Sequence, residues 1–125
     1  MATYTKVKLS ASDDGLGIPI AVMGGAPNLT KTDVHQPPDG TASLDEVWIW
    51  ATNYSTSDKE LTIYFGGQTG SSANAAFSTV QTISSKSGLK LVIPGIVVQD
   101  EHLIEAVVNT DDTAVVLYGY VNRIT

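Results

Sequence analysis

Apolar and polar residues alternate with a period of two along most of this chain, and no stretch shows the spacing of a helix face. That pattern restricts the fold to half-buried strands. Thr5, Val7 and Leu9 alternate with Tyr4, Lys6 and Lys8, and Ile18, Ile20 and Val22 alternate with Pro19, Ala21 and Met23. Pro19 lacks an N–H, which predicts an edge strand or a bulge there. Glu46 to Gly67 reads as a β-hairpin. Val47, Ile49 and Ala51 alternate with Trp48, Trp50 and Thr52, the polar run Asn53 to Lys59 turns the chain, and Leu61, Ile63 and Phe65 return. Further strands are predicted over Ser78 to Ile83 and over Leu89 to Ile93, the latter closed by Pro94-Gly95. A second hairpin is predicted in which His102 to Val108 turns through Asn109 to Asp112 into Thr113 to Val121. Seven to nine short strands at this spacing predict an all-β, antiparallel β-sandwich, with a jelly roll as the topology expected of it.

The chain of 125 residues is expected to be a single domain, 1–125, with an extended N-terminal segment over about 1–9 and a long loop over about 24–43. The loop is rich in Gly, Pro, Asn and Asp, with a short strand expected around Leu29 to His35 and a turn at Pro37-Pro38-Asp39-Gly40. Size scaling predicts a folded accessible surface of roughly 6,400 Å², about one third of the unfolded value. A core of that extent needs no staples, and with no cysteine the chain has neither disulfides nor thiolate chemistry. Thirteen acidic residues against seven basic ones give a net charge of −6, and the cations are scattered from Lys6 to Arg123. No nucleic acid and no membrane is therefore expected as a partner. The opening MATYTKVKLS lacks the apolar run of a secretory signal.

Chemistry-bearing patterns are few. His35 and His102 are the histidines, and neither belongs to an H-E-x-x-H or H-x-E zinc pattern. His102 follows Asp100 and Glu101 and is expected half-exposed at a strand start. No G-x-S-x-G elbow occurs, and Gly15-Leu16-Gly17 and Gly66-Gly67 precede no predicted helix that would form an anion site. The pairs Asp13-Asp14, Asp45-Glu46, Asp100-Glu101 and Asp111-Asp112 lack the alternating spacing of a calcium loop and read as solvated turns. The sequons at Asn28 and Asn53 read as chance matches in a Thr/Ser-rich chain. No catalytic residue, cofactor or metal is expected.

The aromatic residues are the more informative set. With Val47, Ile49, Ala51, Leu61, Ile63 and Phe65 pointing into the sandwich, Trp48, Trp50 and Tyr64 point out and form an apolar patch on adjacent strands. The opposite pleat would bury the tryptophans. Tyr118 and Tyr120 share one face of the last strand with the same ambiguity. Exposed Trp and Tyr are favoured interface anchors.

The opening MATYTKVKLS, the block DEVWIWATN…LTIYFGG, the segment SGLKLVIPGIVV and the ending YGYVNRIT resemble small virion structural proteins of tailed bacteriophages. Within that class the resemblance is to capsid decoration, or cement, proteins. It implies a non-enzymatic protein without cofactor, a homotrimer bound to the major capsid protein or another virion protein. It also implies a place on the outer capsid surface after synthesis in the host cytoplasm. In that setting the N-terminal segment with Tyr4, Lys6 and Lys8 is expected to add a strand to a neighbour's sheet. The alternatives are a neck, tail or fibre-base component, and a carbohydrate-binding sandwich stacking sugars on Trp48, Trp50 and Tyr64.

Overall fold

A computed structural model describes residues 2–11, 20–22, 32–67, 74–110 and 114–125. Among the described residues nine strands account for the regular structure: β1 (Tyr4–Lys8), β2 (Ile20–Ala21), β3 (Thr32–His35), β4 (Leu44–Asn53), β5 (Lys59–Gly67), β6 (Asn74–Ile83), β7 (Lys90–Val98), β8 (Leu103–Val108) and β9 (Val115–Ile124). They form two antiparallel sheets. The first has the order β1-β9-β4-β7, with β2 also on β9, and the second the order β3-β8-β5-β6. The accessible surface of 6523 Å² agrees with the size expectation.

The pairings nest. β2 pairs with β9, β3 with β8, β4 with β7 and β5 with β6, as in one long ribbon doubled back at the β5–β6 connection. Two further pairings, β4 with β9 and β5 with β8, wrap that ribbon into two sheets. Between them lies the core. Val47, Ile49 and Ala51 of β4 meet Leu61 and Ile63 of β5, Ile104, Ala106 and Val108 of β8, and Leu117 and Val121 of β9. The period-two alternation is thus satisfied with its apolar phase inward.

Both predicted hairpins are corrected. β4 and β5 lie in different sheets, and so do β8 and β9. Each apparent hairpin turn is a crossing from one sheet to the other. β4 already has β7 and β9 on its two edges, and β5 has β6 and β8, so neither has an edge left for the other. Asn53 makes the first corner. Its buried amide donates to the carbonyls of Ser57 (2.9 Å) and Ile83 (2.8 Å), and its Oδ1 accepts from the Ser55 amide at 2.9 Å. These bonds replace the ladder that a hairpin would have supplied.

The strand expected to close at Pro94-Gly95 runs on to Val98. The β4–β7 register shifts between Val47 and Trp48, and Gly95 takes a positive φ of 81° at this bulge. Pro94 is tolerated because β7 is an edge strand. The N-terminal segment pairs with β9 of its own sheet from Tyr4↔Ile124 to Lys8↔Tyr120. The strand expected near Leu29 to His35 is β3. The expectations for Asp13-Asp14, Gly15 to Pro19, the Asn28 sequon and Asp111-Asp112 lie outside the described residues.

An aromatic sheet face as the candidate functional site

Because Val47, Ile49 and Ala51 point inward, Trp48 and Trp50 stand on the outer face of the first sheet, each partly exposed. Register then places the neighbours. Trp48 lies opposite Tyr120 of β9, which in turn lies opposite Lys8 of β1. Trp50 lies opposite Tyr118, and Glu46 opposite Asn122 and, beyond it, Lys6. Tyr4 extends the outermost row beside Ile124. Seven of the eight residues singled out from sequence (Tyr4, Lys6, Lys8, Trp48, Trp50, Tyr118 and Tyr120) therefore share one face.

Tyr64 does not. It belongs to β5 in the second sheet, so the expected patch of Trp48, Trp50 and Tyr64 on adjacent strands does not form. The error follows from the hairpin. Placing β4 beside β5 puts their outward residues together, whereas a crossing puts them on opposite sides of the sandwich.

The face is pre-arranged by its own contacts. The Trp48 indole N–H donates to Glu46 Oε1 at 2.8 Å, and the Asn122 side-chain amide donates to the same oxygen at 3.1 Å. These bonds, with the Trp48 bond the larger influence, hold the Glu46 carboxyl below its ordinary range. Trp48 lies against Gly95, where an added Cβ would come within 2.8 Å of the ring. The rings of Trp50 and Tyr120 stack at 6.1 Å with planes inclined by 28°, and the Lys6 ammonium sits 4.6 Å from the Tyr120 ring centre. Toward β7 the surface continues through Leu91 (42% exposed), Pro94 and Val97 (49%), and at its other parts Tyr118 is 40% and Tyr4 72% exposed.

Leu91, Val97, Glu46 and Asn122 were not legible as site residues. Glu46 two residues before Trp48, and Asn122 two after Tyr120, carried a same-face signal, but only the β4–β9 register unites them. Leu91 and Val97 needed the pairing of β7 with β4. By contrast, β8 of the second sheet is buried on both its faces: Leu103, Glu105 and Val107 are hidden as well as Ile104, Ala106 and Val108. Among the described residues the large open aromatic surface is that of the first sheet.

A second constellation lies inside. His35 of β3 and Asp45 of β4 are buried, with His35 Nε2 2.7 Å from Asp45 Oδ2. Arg123 of β9 completes the group, donating from Nε (2.8 Å) and Nη2 (2.9 Å) to the two carboxylate oxygens. His35 Nδ1 accepts from the Ser10 backbone N–H at 3.1 Å, which places the ring proton on Nε2. Burial drives the His35 pKa down, against the pull of Asp45. Burial also pushes the Asp45 carboxyl up, but the hydrogen bonds from Arg123 and then His35 prevail and hold it below its ordinary value. With both ring nitrogens engaged, His35 has no position from which to serve as base to Ser10, whose Oγ accepts instead from the Gln36 N–H at 2.8 Å. The group ties β3 of one sheet to β4 and β9 of the other.

The remaining sequence candidates sit at a corner and in turns. Asn53 is buried within its corner and presents no acceptor amide for a glycan. His102 stands half-buried before β8, its Nδ1 2.9 Å from the Gln99 carbonyl. Asp100 and Glu101 form a turn with positive φ that accepts hydrogen bonds from the Gly40 N–H and the Gln36 amide, both at 2.8 Å. Among the described residues no three His, Asp or Glu side chains converge as a metal-binding group. No protein-family model, curated protein or solved structure matches this chain.

Proposed function

We propose that this protein is a non-enzymatic structural component of a tailed-bacteriophage virion, a capsid decoration protein whose copies associate through the outer face of the first sheet and brace the major capsid protein lattice. The observation that carries the reading is the single face uniting Tyr4, Trp48, Trp50, Tyr118 and Tyr120 with Leu91 and Val97. Aromatic surface of this continuity is characteristic of an interface.

Three outer strands, β7, β3 and β1, favour association through side chains over strand addition, whereas β6, ten residues long at the edge of the second sheet, carries neither proline nor lysine. β7 is interrupted by Pro94 and a bulge, β3 spans four residues, and β1 carries Lys6 and Lys8. Each of these discourages edge pairing. The nested strand order supports reading the sandwich as a jelly roll, a double-sheet architecture of capsid domains. The net charge of −6 suits the outside of a capsid rather than its DNA-facing lining. The class rests on the sequence blocks that resemble phage structural proteins, and the sheet face supports the proposed mode of assembly.

Sedimentation equilibrium on the 13.2 kDa chain tests this. The expected species is a trimer that Trp50→Ser with Tyr118→Ser converts to folded monomers. A monomeric wild-type chain, or a trimer indifferent to both substitutions, overturns the proposed mode. A monomer that binds an oligosaccharide through the same aromatics replaces it with the carbohydrate reading.

A further inference from the structure

The chain crosses from the first sheet toward the second just after β1, and His35 holds it there. Three hydrogen bonds join residues 10 and 11 to the β3 region: Ser10 N–H to His35 Nδ1 (3.1 Å), Ala11 N–H to the Val34 carbonyl (3.3 Å) and Gln36 N–H to Ser10 Oγ (2.8 Å). Leu9, beside them, is buried in the core. The first bond requires a lone pair on Nδ1, and therefore a neutral ring.

We propose that His35 is an acid-sensitive latch: gain of a proton at Nδ1 sets two donors against each other and releases the Ser10 segment, loosening the N-terminal strand from its sheet. The ring is 1% exposed, so the new N–H cannot turn to water without opening the seam. The charged groups around it are Asp45 on β4, which favours the proton, and Arg123 on β9, which opposes it and already occupies both Asp45 oxygens. Asp33 is exposed on β3, with Glu105 opposite it on β8, and Glu101 reaches the region through Gln36. The folded state holds the His35 pKa below its ordinary 6.5. The bond's contribution is therefore whole above that value and is lost as pH falls through the folded pKa. The inference stands on this cluster alone and is independent of what the aromatic face binds.

Amide hydrogen exchange of the full chain, corrected for intrinsic rates, tests it. Between about pH 7 and about pH 5, protection at Ser10, Ala11 and β1 is expected to fall, by up to about tenfold per pH unit as for one linked proton, while β5 and β8 keep theirs. In His35→Asn, Oδ1 retains an acceptor for the Ser10 N–H and does not titrate, so protection there is expected to become flat with pH. Equal wild-type protection at both ends of that range, or an unchanged slope in His35→Asn, overturns the latch. Should that variant not fold, nitrogen-15 NMR of the wild-type ring decides: a proton on Nε2 alone near neutral pH supports the latch, and one on Nδ1 overturns it.

Discussion

At the scale of single residues, the side chains that organise this protein are polar ones hidden among apolar neighbours. Asn53 does at its corner what a ladder does along a strand, bonding the carbonyls of Ser57 and Ile83 and the N–H of Ser55. Replacing it with alanine removes all three bonds, of which the one to the Ile83 carbonyl is buried, and a buried unsatisfied group costs about 1–3 kcal/mol. Asn53→Ala is accordingly expected to lose about 2–3 kcal/mol in urea unfolding, with an unchanged m-value. In the sequence Asn53 reads as the start of a polar turn and as a chance sequon. Its burial depends on Ser57 and Ile83, and Ile83 lies thirty positions away. Gly95 is similar. As a residue it announces a turn, but its positive φ and the Trp48 ring packed against it belong to the β4–β7 register.

At the scale of elements, alternation located the strands well and their partners poorly. Val47, Ile49 and Ala51 of β4 form an unbroken apolar set, but Trp48 and Trp50 are apolar too, so the sequence alone leaves both pleats open and the core decides between them. The structure separates the two faces by consequence. Ile49→Ala opens a cavity in the core and is expected to cost about 2–5 kcal/mol. Trp50→Ala is expected to cost markedly less in the folding of the isolated chain, since the ring is only half-buried on the sheet surface. Equilibrium denaturation of the two variants under dissociating conditions checks the contrast. The hairpins failed for a reason that local sequence does not encode. A polar turn of five or so residues between two alternating strands serves a hairpin and a crossing equally well. The choice falls to whichever strands claim the edges, here β7 and β9 for β4.

At the scale of the whole molecule, two sheets are held together by the core and, toward one end, by the His35–Asp45–Arg123 group. Asp45 is fully buried and Arg123 is the partner that carries a full charge. Asp45→Asn leaves the guanidinium without its counter-charge, but Arg123 is partly exposed to water, so the expected cost is about 1–3 kcal/mol, below that of breaking a fully buried pair. Since the folded carboxyl lies below its ordinary value of 3.8, its stabilisation is present above that pH and lost as pH falls through the lower folded pKa. The acid limb of the wild-type stability curve is therefore expected to flatten at that end in Asp45→Asn, which acid titration followed by circular dichroism measures. The alternation and composition of this chain by themselves determined that it forms antiparallel strands around a cysteine-free core, and which residues of β4 and β5 share a face. Those are consequences of side-chain period and burial, which act locally. Tertiary structure alone decided that Tyr64 parts company with Trp48 and Trp50, that Tyr118, Tyr120 and the N-terminal lysines join them, and that a histidine, an aspartate and an arginine from three strands meet. Each of those outcomes depends on strand order, and strand order is settled by competition among all edges at once.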